Sequence, residues 1–384
     1  MFTTEHFIID INSYCFVLLV LCLVVQLYFL WCVFSRFAFQ KRAVQLSDKE
    51  QEPVSIVICA KNEVRFLRRF LPLIMEQDYP VFEVVVVDDN SDDGINEALA
   101  PLLIKYNNLQ LVHISTNMGS ETGKQLALAV GIRSAQYDLV LLTDADCMPR
   151  TNQWIRSMVS EHKNGKSIVL GYGAYEQKAG FLDKLIRFDT LHTAIQYFSF
   201  AIKGEPYMGV GRNLMYEKNL YLESYGYLSA YKSISGDDDL FVNSIANKSN
   251  TTYMYASEAH TISVQRNFKF SQWLIQKSRH LSASKYYRKN NKFTLGVYWM
   301  SNFLFYFSFI LALFLCKHTL EAFVVLIGIY LIKILSQFII FAQSGKKLQE
   351  THLNPYIPLL DICFVLLMPL LQLKLLIKKQ TRWN

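Results

Sequence analysis

Apolar residues are arranged in two different ways along this chain: long unbroken runs at its two ends, and short bursts separated by polar, helix-length stretches in the middle. Ile11 to Phe34 contains no charged residue. As a helix it would extend roughly 36 Å at ~1.5 Å per residue, more than the ~30 Å hydrocarbon layer of a bilayer. A second uncharged run covers Phe293 to Cys316. A third, Leu320 to Ala342, contains Glu321 and Lys333, and a fourth, Tyr356 to Leu373, contains Pro358, Asp361 and Pro369. The first run is too long for the apolar part of a signal peptide, and no small-residue cleavage site follows it. The pattern predicts one N-terminal and about three C-terminal transmembrane or interfacial helices. It divides the chain into an anchor at 1–42, a soluble domain at 43–292 and a membrane region at 293–384.

The middle alternates differently. Val54 to Cys59, Phe82 to Val87, Leu109 to Ile114 and Leu139 to Leu142 are apolar, β-branched runs of buried-strand length. Helix-length stretches lie between them: Val64 to Gln77, Gly94 to Tyr106 and Thr122 to Ala135. Alternation of this kind predicts a doubly wound α/β sheet with parallel strands. Ligands of such sheets bind beyond the carboxyl ends of the strands, so the polar residues just after each strand are the candidate site.

Composition sharpens the membrane reading. Of the 384 residues 52% are hydrophobic and 18% charged, an apolar excess for a soluble enzyme that is concentrated in the two ends. The net charge is +7, but the basic residues gather beside the apolar runs: Arg36, Lys41 and Arg42, then Lys285, Arg288, Lys289 and Lys292. That placement suits an anionic cytoplasmic leaflet, and no recognition-helix, zinc-finger or RNP-like motif points to nucleic acid. Glu5 and Asp10 precede the first run, so the N-terminus is expected outside and the domain in the cytoplasm, as for a multi-pass protein of a bacterial inner membrane. Three further spans would put Lys378, Lys379 and Arg382 outside, against the same rule, which leaves open whether one of the last two segments is re-entrant or interfacial. None of the seven cysteines has metal-ligand spacing. Cys15, Cys22 and Cys32 fall in the first apolar run and Cys59 and Cys147 at strand ends, a distribution that requires no disulfides.

At the strand ends the sequence supplies Ala60-Lys61-Asn62-Glu63, Asp88-Asp89-Asn90-Ser91-Asp92-Asp93-Gly94, Gly123-Lys124 and Thr143-Asp144-Ala145-Asp146. Singly these are weak signals: Asp, Asn and Ser also favour turns and helix N-caps. Jointly, the crossovers deliver several carboxylates and a lysine to one rim. Crowded carboxylates repel, and a cation between them relieves the repulsion. Hard oxygen ligands suit magnesium or manganese, which also take substrate phosphates.

The order SIVICAKNE, VVVVDDNSDDG, GKQLALAVGI, LLTDADCMP resembles that of family 2 glycosyltransferases over roughly Pro53 to Arg288. The resemblance implies a Rossmann-like, A-type glycosyltransferase fold and transfer with inversion. It implies that Glu63 and Asp89 contact the nucleotide base and ribose, that Lys124 lies near the nucleotide, that Asp144 holds the ribose or sugar side, and that Asp146, with Asp144, holds the divalent cation. Met208-Gly209-Val210-Gly211-Arg212-Asn213-Leu214 resembles the segment bordering the sugar and acceptor pocket, where glycine admits close backbone approach; Gly211, Arg212 and Asn213 are its acceptor-side residues. Ser235-Gly236-Asp237-Asp238-Asp239-Leu240 resembles the segment that carries the general base. Its frame selects Asp238 or, alternatively, Asp237. Gln276-Lys277-Ser278-Arg279-His280 resembles the Gln-x-x-Arg-Trp motif of membrane-integrated members, on an amphipathic helix before the C-terminal spans. Gln276 and Arg279 then belong to the donor side. His280 replaces the tryptophan that helps bind the acceptor, which weakens the case for a processive polymerase.

The expected reaction is a single in-line displacement from a nucleotide-sugar, a UDP-sugar by preference, to a lipid-linked or saccharide acceptor. Three other readings compete: a processive polysaccharide synthase, a transporter, and a nucleotide-sugar binder without activity. The few predicted spans argue against the first, the scarce intramembrane charge and lack of an inverted repeat against the second, and the filled carboxylate positions against the third.

Overall fold

A computed structural model describes residues 4–41, 52–114, 123–162, 165–229, 237–264, 269–315 and 319–377, with side chains from residue 13 to 373 except at 225–229 and 237 within those segments. The N-terminal run forms α1 (Thr4–Tyr28), a π-helical turn over Phe29–Phe34 and the short α2 (Ser35–Ala38). The α/β domain then follows in chain order: β1 (Val54–Ala60), α3 (Val64–Met75), β2 (Phe82–Asp88), α4 (Ile95–Lys105), β3 (Leu109–His113), α5 (Lys124–Ser134) and β4 (Leu139–Asp144). The second half of the domain holds β5 (Cys147–Pro149), α6 (Trp154–Val159), β6 (Ile168–Leu170), β7 (Gly173–Tyr175), α7 (Phe181–Lys203), β8 (Leu214–Glu217), α8 (Lys218–Ser229), α9 (Asp237–Ile245), β9 (Thr251–Tyr253), β10 (Thr261–Ser263) and α10 (Phe270–Ala283). The chain ends in α11 (Lys289–Leu315), α12 (Leu320–Lys347) and α13 (Ile357–Ile377).

The main sheet has the order β3-β2-β1-β4-β8-β6-β9. Its first four strands are parallel, as their apolar runs predict, and β8 is antiparallel to both β4 and β6. Alternate residues of the parallel strands feed two cores. Ile56, Ile58, Val84 and Val86 face α3, α4 and α6, while Val57, Val85 and Val87 face α5 and the elements beyond it. Helix α5 lies close to its strands because Gly131 has no side chain: a Cβ there would stand 2.5 Å from Val57 Cγ1 and 2.8 Å from Val87 Cγ2. From β1 the chain winds out through β2 to β3 and returns to β4 on the other side of β1. The order of winding therefore reverses between β1 and β4, where a crevice opens at the carboxyl ends. Register brings Cys59 beside Asp144 and Ala60 beside Asp88, which in turn pairs with His113, so one row of residues crosses the rim. A smaller sheet, β5-β10-β7, stands over this rim.

Among the described residues four helical segments are long and apolar enough to cross a membrane: Ser13–Ala38, Lys289–Leu315, Leu320–Lys347 and Thr351–Leu373. They number one before the α/β domain and three after it, as the apolar runs predict, and the fourth qualifies despite its prolines. Asp361, which makes that segment doubtful as a sequence, is paired. Lys333 of α12 donates to its Oδ2 at 2.5 Å, and Tyr306 of α11 donates to the same oxygen at 2.7 Å. Lys333 also donates to Gln337 at 2.8 Å. Both charges are buried, and this network joins three helices through groups that could not be left single in an apolar layer.

The helices and the domain are bolted together. Phe29 and Phe34 of the π-turn meet the Tyr298 ring at 5.1 and 5.2 Å, and Phe37 stacks on Phe198 of α7 at 4.9 Å. Lys347 at the end of α12 donates to the carbonyls of Phe37 and Gln40 at 2.7 and 2.6 Å. Just beyond α12, Glu350 accepts from Arg187 of α7 at 2.6 Å and from the Tyr172 hydroxyl at 3.3 Å. These bonds hold the turn between α12 and α13 against residues that border the rim.

Candidate active site

The loops after β1 and β2 lock each other. Asn62 and Asn90 sit in the left-handed region at φ 56° and 57°, which asparagine tolerates better than most residues. Asp88 accepts from the Ser91 amide at 2.9 Å and faces His113 Nδ1 at 2.9 Å, and Asp93 accepts from the Val64 amide at the start of α3. Much of the acidic run is thus turn and cap. Asp89 is different. It is 1% exposed, and among the described residues neither of its carboxylate oxygens has a hydrogen-bond donor; Lys61 Nζ stands 3.8 Å away. Burial pushes its pKa above the usual carboxylate range.

The next group stands where β4 ends. Lys124, on the first turn of α5, donates to Asp144 Oδ1 at 2.7 Å. Burial alone would raise the pKa of Asp144, but Lys124 outweighs it and holds the carboxyl below its usual range. Asp146 accepts from Ser263 of β10 at 2.9 Å and from the Cys147 thiol at 3.4 Å. Ligating atoms of Asp144, Asp146 and Cys147 lie within 4.8 Å of one another. Burial and the charge of Asp144 raise Asp146, and burial with both aspartates pushes the Cys147 thiol well up. The thiol therefore stays protonated, and the pair that can take a cation is two carboxylates in mutual repulsion. That donor set fits magnesium or manganese.

Asp238 approaches from the opposite wall, at the start of α9, and packs against Gly211. A Cβ at 211 would stand 2.6 Å from Asp238 Cγ. The sequence reading puts a ligand against this glycine; in the fold the close neighbour is the carboxylate itself. Burial raises the pKa of Asp238, Lys124 opposes and Asp144 adds to the rise. Asp239, next in sequence, is buried and accepts from the Tyr287 hydroxyl at 3.3 Å. The side chain of Asp237, and Ser235 and Gly236, lie outside the described residues.

Helix α10 closes the site as its amphipathic pattern predicts, burying Trp273 and Ser278 and presenting Gln276, Lys277, Arg279 and His280 to the cavity. Lys277 pairs with Asp189 of α7 at 2.5 Å. Arg279 Nε is buried without a hydrogen-bond acceptor among the described residues, as is Arg212 Nη1, whose guanidinium lies over the Tyr175 ring at 4.2 Å. His280 is open to the cavity. Its place between the walls and the cations Arg279, Lys277, Arg212 and Lys124 pushes its pKa down to about 3, so the imidazole is neutral.

One cavity of about 970 Å³ gathers Lys124, Asp144, Asp146, Gly211, Arg212, Asp238, Gln276, Arg279 and His280. Glu63 and Asp89 sit on the rim outside its lining. Asn213 is a correction. It is 0% exposed and its amide is saturated: it accepts from Trp154 Nε1 at 3.0 Å and donates to the carbonyls of Tyr172 and Ala259 at 2.9 and 2.7 Å. It braces the wall of the site and does not face an acceptor. Arg212 stands nearer the two aspartates of the rim than its expected acceptor role implies, since Asp144 and Asp146 both support its charge. Sequence reasoning missed Ser263, Asp189 and Tyr175, which lie far along the chain in unremarkable segments. It also missed α11 and α13, which form the cavity's far wall.

Acidic strand ends at the switch point of a mixed sheet, a lysine on the next helix and a carboxylate pair that could take a cation make up the candidate site. Residues 55–222 match the model of glycosyl transferase family 2, so this segment of the chain is a domain of that family. Among curated proteins it is 30% identical over 109 residues to glycosyltransferase AglE of Haloferax volcanii, covering 28% of this chain and 34% of that one. It is 26% identical over 149 residues to poly-beta-1,6-N-acetyl-D-glucosamine synthase of Staphylococcus epidermidis, covering 38% and 35%. The chain thus matches about a third of the length of these relatives. Among solved structures it is similar to the mannosyltransferase PcManGT from Pyrobaculum calidifontis, in complex with GDP-Man and Mn2+. The TM-score is 0.57 and the identity 17%, over 92% of this chain and 98% of that one. That likeness establishes the A-type fold, over too much of the chain to leave the flanking helices out.

Proposed function

We propose that this protein is a membrane-bound, inverting glycosyltransferase that moves a sugar from a nucleotide-sugar to a hydroxyl group. The observation that carries the reading is the meeting in one cavity of Lys124, Asp144 and Asp146 from the switch point with Asp238 from the opposite wall. Asp89, a buried acceptor without a donor among the described residues, is suited to a base or ribose N–H or O–H, which would remove the cost of its unmet hydrogen bonds. Asp144 and Asp146 would hold magnesium or manganese, which offsets charge on the departing diphosphate. Arg212 Nη1 and Arg279 Nε, without acceptors among the described residues, lie at the same end and suit phosphate oxygens. Asp238 takes the proton of the acceptor hydroxyl. The acceptor oxygen then bonds to the anomeric carbon as the bond from that carbon to the diphosphate breaks, and the nucleoside diphosphate leaves with the electron pair. Attack opposite the leaving group inverts the anomeric centre without a covalent enzyme intermediate.

A UDP-sugar is the preferred donor, and the catalytic domain is assigned to residues 43–292 on the cytoplasmic side. Purified protein with manganese and a panel of nucleotide-sugars tests the reaction: transfer or donor hydrolysis with at least one is expected, and inertness toward all of them would refute it. Accessibility labelling in intact cells tests the topology. A tag at Ser47 should be protected and one at residue 2 exposed; the reverse would deny the site cytosolic nucleotide-sugars.

A further inference from the structure

We infer that α13 does not cross the membrane: it lies along the domain side of the bilayer, as the floor of the active-site cavity. Three spans then remain among the described residues, Ser13–Ala38, α11 and α12. Helix α7 marks the level at which the domain meets the spans. Its Phe188 and His192 rings stand 5.6 and 5.2 Å from Phe341 of α12, and His192 is hydrogen-bonded to the Tyr298 hydroxyl of α11 at 2.8 Å. Both ends of α13 are at this level. Tyr356, just before its first residue, has Lys184 of α7 over its ring at 4.9 Å. Phe364 meets Phe188 at 5.7 Å and Trp273 of α10 at 6.2 Å. Gln372 and Leu373 line the cavity together with Lys285, Lys292 and Leu295, residues before α11 and in its first two turns.

A crossing helix could not make these contacts. Tyr306 and Lys333, which both bond to Asp361, are each eight residues, roughly 12 Å, farther out than Tyr298 and Phe341. If α13 ran outward from their level, Leu373, twelve residues and roughly 18 Å past Asp361, would stand beyond Leu315 at the end of α11. It stands instead on a cavity whose α11 lining reaches no farther out than Phe303. Tyr306 and Lys333 thus reach back, with long side chains, to an aspartate on a helix that lies across the bundle. The faces of α13 fit this position. Its exposed large apolar side chains, Leu359, Leu366, Leu370 and Leu373, fall within about 60° of one another at ~3.6 residues per turn, a single stripe for lipid. Phe364, Met368 and Leu371, on the other side, share a core with Trp273 and Tyr287 of the domain. Charge agrees as well. With three spans, Lys378, Lys379 and Arg382 fall on the same side as Lys285, Arg288 and Lys289, where basic residues beside membrane segments gather; a fourth span would put them opposite.

Two measurements on the full chain test this. In the first, an epitope tag after Asn384 is compared with one at Ser47 in intact and permeabilised cells. Both should be reached under the same conditions, and tags on opposite sides overturn the inference. The comparison is relative, so it holds whichever way the domain faces and whether or not the protein transfers sugar; its failure is distinct from failure of the transferase reading. In the second, a spin-labelled amino acid is introduced by amber suppression, one position at a time, at Leu359, Leu366, Leu370 and Leu373. In phosphatidylcholine nanodiscs its depth is read from collisions with oxygen and with a water-soluble nickel chelate. A helix lying in the plane should keep the four depths within ~10 Å, about its own width. A crossing helix, at ~1.5 Å per residue, would spread them over ~20 Å, and a spread greater than ~10 Å overturns the inference.

Discussion

Replacing Gly211 by alanine tests the most specific contact in the proposed site. The added Cβ would stand 2.6 Å from Asp238 Cγ, 3.1 Å from Oδ1 and closer still to Oδ2. Carbon atoms in contact settle at about 3.5–4.0 Å, so the carboxylate must retreat by at least ~1 Å. The atoms that have to move are the end of a short side chain, so the retreat costs little stability, no more than the ~1–3 kcal/mol of a modest overpacking. It costs catalysis more: a misplacement of ~1 Å in a reacting constellation is enough for a ~10²-fold loss. Transfer rate, donor affinity by calorimetry and thermal unfolding are measured together. Gly211→Ala should lose about 10²-fold in kcat with donor affinity within about twofold, since the proposed base would touch only the acceptor. In an Asp238→Asn background the same change should add almost nothing, because both act through one group. Wild-type transfer by Gly211→Ala, or losses that multiply in the double variant, would refute the link between this glycine and the base.

Asp146→Asn keeps the shape of the side chain and removes charge from the proposed cation site; turnover should fall by about 10² or more with the fold intact, and undiminished turnover in EDTA would sink the metal assignment. Asp238→Asn should abolish transfer while donor binding persists, and Asp237→Asn should instead cost stability or donor affinity; the opposite pattern would shift the base by one residue. The base must be ionised to act and burial raises its pKa, so kcat/KM should fall as pH drops through a value above the ~3.9 of an ordinary aspartate; an acid limb at or below that value would contradict the assignment. Lys333→Met strands Asp361 in the helix bundle and should destabilise by ~3–5 kcal/mol in detergent unfolding, with most of the loss recovered in Lys333→Met/Asp361→Leu; equal stability of single and double variants would show that the pair is not coupled.

Strand periodicity and the crossovers between strands were enough to place Lys124, Asp144 and Asp146 on one rim, because a buried parallel strand must end in a polar loop on the side where ligands bind. The unbroken apolar runs were enough to predict one flanking helix before the domain and three after it, because a bilayer sets the length of what crosses it. Neither pattern says which distant segments meet. Asn213 and Arg212 are neighbours in the chain, yet one is saturated by Trp154, Tyr172 and Ala259 and the other opens onto the cavity. Gly211 makes room for Asp238, 27 positions away, through a contact that no local propensity encodes. Asp361 looks like a fault in an apolar run until Lys333 is seen to be 2.5 Å from it. Local sequence determines periodicity, and through it each element and its ends. The partner of a buried polar group, and the walls of a cavity drawn from α5, α9, α10, α11 and α13, depend on how those elements pack, which only the tertiary structure decides.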